Sequence, residues 1–286
     1  MSRLKKASAL VAAGAATLLV LAGCAADPAE TGGDAGSSEN PVGVSTVTEG
    51  KLTIATGEPA YSPWVLNNAP ESGEGLEAAV SYALAEELGF KKEDVVWVRS
   101  TFEGAIAPGP KDWDLNIQQF SITEERKQAV DFSEPYYTTT QAVVARADSP
   151  AAKAKSLADL KGFAIGVASG TTSLPVAQDK IAPEQDLQVF NSVDDLVQAL
   201  QAGNIDALVT DLPSAYYVRD AQLEGDGVIV GQIDSGDGGE NFAFVLPKGS
   251  ELTAKVDAAL IALRDAGTLD QLAEEWLANQ DAPVLN

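Results

Sequence analysis

From Lys51 onward the chain alternates short apolar runs with stretches whose apolar residues recur every three or four positions. This alternation admits few folds. The apolar runs read as strands and the periodic stretches as helices, and such units pair into a largely parallel sheet with helices packed on it. Leu52-Thr53-Ile54-Ala55 is the first expected strand. Leu76, Ala79, Val80, Ala83, Leu84 and Leu88 share one helix face, and Gly89 ends that helix. Val95–Val98, Trp113–Ile117 and Ala142–Ala145 read as further strands. A second series starts near Leu157, with strands expected at Phe163–Val167, Leu187–Phe190, Ala207–Thr210 and Val228–Val230. Its helix over Asp194–Ala202 is closed by Gly203. A late strand at Phe242–Leu246 and helices over Glu251–Ala266 and Leu269–Ala278 finish the chain. Two α/β series in one chain predict two lobes.

Charge and missing residue types narrow the function. The 286 residues carry 19 Lys and Arg against 42 Asp and Glu, a formal net charge of −23. A surface of that sign repels phosphates, which argues against nucleic acid as a partner. It argues equally against adhesion to anionic lipid through a polybasic patch. Histidine is absent, which removes Ser-His-Asp and Cys-His catalysis and every histidine-based metal site. A single cysteine leaves no disulfide within the chain. No cofactor and no metal are expected.

The N-terminal segment reads as an export leader. Arg3, Lys5 and Lys6 precede an apolar stretch from Ala7 to Leu21, closed by Ala22 and Gly23. The stretch is shorter than the roughly 20 residues of a membrane span. Cys24 follows directly, and Leu21-Ala22-Gly23-Cys24 resembles the bacterial lipobox. That resemblance implies cleavage after residue 23, a diacylglyceryl group and palmitate on Cys24, and a stable anchor on the outer face of the cell membrane. Residues 24–49 are small, polar and acidic, and read as a flexible linker. No transmembrane segment is expected after the leader.

In open α/β sheets ligands bind at the carboxyl ends of strands, so the loops there hold the candidate residues. After the first strand comes Glu58-Pro59-Ala60-Tyr61-Ser62-Pro63-Trp64, whose prolines stiffen a loop with two aromatics. After Trp113–Ile117 comes Gln118-Gln119-Phe120-Ser121-Ile122-Thr123, with Arg126 beyond a helix start capped by Thr123. An arginine there can fork onto a carboxylate. After Phe163–Val167 comes Ser169-Gly170-Thr171-Thr172, whose backbone can approach an anion where the next helix opens. No Gly-Lys-Ser/Thr follows, so this is not a phosphate loop. Asp211 ends the strand at 207–210 and can meet an amine. An aromatic platform, one cation, a helix start and one acid complement a zwitterion such as a free α-amino acid.

Two runs carry a family resemblance. Asp114 to Arg126, and Val130-Asp131-Phe132-Ser133-Glu134-Pro135-Tyr136-Tyr137, resemble the hallmark of the family 3 solute-binding proteins of polar amino-acid ABC transporters. Glu58 to Trp64, Leu157 to Gly162, Gly170-Thr171-Thr172 and Gly203 to Asp211 agree with it, over about residues 50–280. The resemblance implies an α/β, two-lobe type II periplasmic binding protein fold with a hinged interlobe cleft. Lobe one would be 50–142 plus 245–286 and lobe two 143–244, with hinge crossings near Ala142–Arg146 and Glu240–Val245. By position it implies Arg126 on the α-carboxylate, helped by Ser121 and Thr172. It implies Asp211 and the Gln119 carbonyl on the α-amino group. Tyr61 and Phe102 would flank the ligand side chain and Glu58 reach it, with Trp64, Gln118 and Thr171 also at the site. Gln118 and Gln119 replace small residues usual in the family, and Ala79 stands where an acid is usual.

The resemblance implies a monomeric binding protein that delivers an amino acid to permease subunits. A rival reading is an enzyme on the same fold, dehydratase- or lyase-like, acting on a small carboxylate. Such an enzyme needs an acid of raised pKa beside the reacting bond, and Glu58 is the candidate outside the clamp. A receptor's sensing domain is a third class, and the chain shows no signalling domain.

Overall fold

A computed structural model describes residues 41–234, 238–277 and 281–286. The leader, Cys24 and the linker up to residue 40 lie outside the described residues. Along the chain, β1 (Leu52–Thr56), α1 (Leu76–Glu87), β2 (Val95–Arg99), α2 (Phe102–Ile106), β3 (Leu115–Asn116) and β4 (Val130–Thr139) build the first lobe. The chain then crosses at Thr140 into a second lobe. That lobe contains β5 (Gln141–Arg146), β6 (Ile165–Ala168), α3 (Ser173–Val176), β7 (Gln188–Phe190) and α4 (Val193–Gln201). It continues with β8 (Ala207–Asp211), α5 (Leu212–Tyr217) and β9 (Gly227–Ile233). β10 (Glu240–Pro247), α6 (Thr253–Asp265) and α7 (Thr268–Trp276) return to the first lobe, and β11 (Val284–Leu285) rejoins the second.

The first sheet has the order β2-β1-β3-β10-β4, and the second β11-β9-β5-β8-β6-β7. β1 pairs in parallel with both β2 and β3, and all five of its residues are buried. Strands covered on both faces read as continuous apolar runs for this reason. α1 presents Leu76, Val80 and Leu84 to a core shared with Leu52, Ile54, Trp64, Phe244 and Leu260. Its entry needs glycine: Gly75 has φ +101°, and a Cβ there would stand 2.5 Å from the Trp64 carbonyl oxygen. In the second lobe Ser192 caps α4 by accepting the Asp195 N–H at 3.0 Å, and Leu196 and Leu200 enter the core.

The structure departs from the sequence reading in four places. Residues 41–49 are not linker throughout: Val42 is buried in the first core and the Val47 N–H donates to Asp114 Oδ1 at 2.8 Å. β4 is a ten-residue strand where only a family motif was visible. The crossings fall at Thr140 and between Ile233 and Glu240, so 142–146 lies wholly inside the second sheet and Glu240 already belongs to the first. The end of the chain does not stay in the first lobe, because Val284 and Leu285 pair with Gln232 and Ile233 of β9.

Candidate functional site

The loops at the carboxyl ends of β1, β3, β6 and β8 converge on a cavity of about 300 Å³ between the lobes. Glu58, Tyr61, Phe102, Gln118, Gln119, Ser121, Arg126, Thr171, Thr172 and Asp211 all line it. Trp64 does not. Its ring is fully buried in the first core, edge-on to Tyr137 and Phe242, because the loop's apolar bulk has a core to fill beneath it.

Arg126 opens a single 3₁₀ turn, and the Thr123 hydroxyl accepts its backbone N–H at 3.1 Å. The side chain is 9% exposed. Nη1 donates to the Ser121 carbonyl at 2.7 Å and Nη2 to the Gly170 carbonyl at 2.8 Å. The guanidinium carbon lies 5.5 Å from the Phe102 ring centre, and Phe102 stacks on Phe120 at 4.8 Å. Burial lowers the Arg126 pKa, against the opposing pull of Glu240 and Glu125. An arginine remains cationic under such a shift, and with five donors it keeps N–H groups for a ligand. Among the described lining residues it is the one Lys or Arg.

Asp211 sits at the other charge pole. Burial pushes its carboxyl up to about 6, with Glu240 adding to the shift and a hydrogen bond from Ser214 opposing it. The Ser214 hydroxyl donates to Asp211 Oδ2 at 2.7 Å and accepts the Trp64 Nε1–H at 3.0 Å. Trp64 thus reaches the site indirectly, through Ser214.

Gln119 has φ +51°, a left-handed conformation uncommon for a residue with a side chain. Glu77 holds it there. The buried Glu77 carboxyl accepts the Gln119 N–H at 2.6 Å, the Gln119 side-chain amide, and the Tyr136 hydroxyl at 2.5 Å. Burial raises the Glu77 pKa to about 7 in spite of these donors. Gln118 donates to Asn116 Oδ1 at 2.7 Å. Tyr61 donates its hydroxyl across the cleft to Asp194 Oδ2 at 3.3 Å, and its pKa rises to about 12, chiefly through burial. Glu58 lines the cavity but is engaged elsewhere: Arg99 Nε lies 3.3 Å from Oε2, and the Asn68 amide donates to Oε1 at 3.0 Å.

Ser121 and Thr172 meet at a residue that sequence reasoning missed. Glu240 Oε2 accepts the Ser121 hydroxyl at 2.5 Å and the Thr172 hydroxyl at 2.6 Å. Glu77, Asp194 and Ser214 were missed as well. Only Glu77 left a trace in the sequence, as an acid in the first turn of α1, next to the apolar positions Leu76, Ala78, Ala79 and Val80. Among the described residues no group of three His, Cys, Asp or Glu side chains could hold a metal ion.

Two α/β lobes with a ligand-sized cavity at the carboxyl ends of their strands define the type II periplasmic binding protein fold. An ancestral arginine-binding protein bound to glutamine superposes with a TM-score of 0.68 at 32% identity, covering 80% of this chain and 98% of that one. The match to the bacterial extracellular solute-binding proteins, family 3, spans residues 52–279, and the chain belongs to that family. The L-arginine-binding protein of Pseudomonas aeruginosa is 32% identical over 77% of this chain and 86% of its own length. The arginine-binding extracellular protein ArtP of Bacillus subtilis is 28% identical, over 81% of this chain and 88% of its own. A structure described as an ancestral amino-acid-binding protein and a precursor of cyclohexadienyl dehydratase is also similar. Its TM-score is 0.65 at 31% identity, over 80% of this chain and 96% of that one.

Proposed function

We propose that this protein binds a free amino acid between its lobes and hands it to the permease of an ABC importer. The observation that carries this reading is one cavity holding a buried cation, Arg126, and a half-buried acid, Asp211. Arg126 takes the α-carboxylate through its remaining N–H groups. Asp211 and the Gln119 carbonyl take the α-ammonium, whose charge draws the Asp211 pKa back down on binding. Tyr61 and Phe102 flank the side chain, and Gln118, Thr171 and Glu58 complete the wall. Closure of the lobes about the two crossings buries the ligand. A volume of about 300 Å³ is at the small end for ligand sites, which suits one amino acid.

With Arg126 committed to the α-carboxylate, a second ligand carboxylate has no cation among the described residues of the cavity wall. Neutral polar and basic amino acids therefore bind better than aspartate or glutamate. The arginine-, glutamine- and histidine-binding names among the relatives fit that order, whereas the glutamate-binding protein GluB of Corynebacterium glutamicum, 28% identical, runs against it. Lipidation at Cys24 tethers the monomer to the outer face of the membrane. Competition calorimetry with glutamate, glutamine, histidine, arginine and cystine tests the assignment, and glutamate ranking first overturns it. Mass spectrometry of the same mixtures tests the binding class: an amino acid recovered unchanged supports transport, and a converted one supports an enzyme.

A further inference from the structure

Glu240 lies at the start of β10, beside the second crossing and behind the cavity. It moves with the first lobe. Ser121 bridges to Phe242, the Ile122 N–H donates to the Asn241 carbonyl, and the Ala243 N–H donates to the Phe120 carbonyl. The Ser121 hydroxyl then fixes the Glu240 carboxyl from within that lobe, at 2.5 Å. Thr172 comes from the other lobe, and its hydroxyl donates to the same oxygen at 2.6 Å. Two neighbouring bonds join the same strip of the second lobe to the first: Arg126 Nη2 to the Gly170 carbonyl at 2.8 Å, and the Ser169 hydroxyl to Glu103 Oε1 at 3.2 Å.

We propose that Glu240 is a built-in latch: anchored in lobe one by Ser121, its carboxyl docks Thr172 and holds the lobes together through the protein's own groups. Proton counting sharpens the idea. A hydroxyl has one proton to donate, and Thr172 spends its own on Glu240. Thr172 therefore acts on affinity by stabilising the closed arrangement, as a positioning residue, and not by a hydroxyl bond to a ligand carboxylate. A ligand that binds only the closed form gains affinity in proportion to the fraction already closed. The effect on affinity rests on the proposed amino-acid reading, whereas the effect on the lobes does not.

Spin labels at Glu87→Cys and Asp186→Cys, one on each lobe, report the interlobe distance in a full chain carrying Cys24→Ala. Without added amino acid, the parent shows a short-distance population, Glu240→Ala loses it, and Glu240→Gln, whose amide oxygen can still accept, keeps it. Calorimetry with L-arginine gives about tenfold weaker binding for Glu240→Ala, equivalent to about 1.4 kcal/mol. Adding Thr172→Val to Glu240→Ala costs less than a further twofold, because both remove the same bond. Identical distance distributions for the parent and Glu240→Ala overturn the latch. Full additivity of the two substitutions overturns it too, because it returns the Thr172 proton to the ligand. If no amino acid binds, the functional proposal fails while the distance measurement still decides the latch.

Discussion

Replacing Glu77 with glutamine should flatten one part of the pH dependence of stability. Glu77 is fully buried in α1, and its pKa rises from 4.5 to about 7, chiefly by burial. The sign follows from proton counting. Between about pH 4.5 and 7 the folded protein keeps a proton that the unfolded chain has released, so raising the pH favours unfolding. The contribution is fully present below pH 4.5 and is lost as pH rises through about 7. At about 1.4 kcal/mol for each tenfold change in proton affinity, the loss is about 3 kcal/mol. Glutamine carries no such proton at any pH. Its NH₂ also has to face the donors on Gln119 and Tyr136, so Glu77→Gln should be the less stable protein at acid pH. Urea unfolding of both proteins from pH 4.5 to 7.5 measures the difference. Parent minus variant should fall by about 3 kcal/mol across the range. The shift at Asp211 is common to both and largely cancels. A difference constant within about 1 kcal/mol would refute the protonated, buried carboxyl.

Arg126→Ala should cost about 2–5 kcal/mol of amino-acid affinity, because it leaves a buried carboxylate without its cation; calorimetry showing less than a tenfold loss contradicts the clamp. Trp64→Phe keeps apolar bulk in the core but removes the donor to Ser214, so the hydroxyl that donates to Asp211 loses the bond that orients it and affinity should drop severalfold, about 1 kcal/mol; unchanged affinity would disconnect Trp64 from the site. Cys24→Ala should release the processed protein from membranes, since the tether has no other acyl anchor. Retention of that variant on washed membranes, after its leader is shown to be removed, would exclude the lipobox reading.

Apolar periodicity marks the elements that bury one or both faces along their length. β1, α1, α4 and β8 are visible in it because their inward residues form continuous runs or regular stripes. β4 is not, because its burial recurs every third residue, two of its four buried positions are Ser133 and Thr139, and its pairing with β10 shifts register twice. A strand with such irregularities does not alternate cleanly. At the site, Arg126 and Asp211 are legible because charge at a strand's end is a recognisable signal. Glu240 is not, since a glutamate after two glycines looks like a surface loop until the fold sets Ser121 and Thr172 against it. Trp64 misleads for the opposite reason: an aromatic in a cleft loop serves a core as readily as a ligand.

The return of the chain to the second sheet bounds how wide the cleft can gape. Leu277 is buried in the first core, and Ala282 packs on the second. Five peptide links separate them, and at about 3.6 Å each when fully extended these reach at most about 18 Å. The span acts as a check-strap: beyond that reach, further gaping at this edge must either draw Leu277 out of its core or peel β11 from β9. Removing residues 281–286 would cut the strap and bare the outer edge of β9, giving a protein that gapes further and offers an unpaired strand to its neighbours.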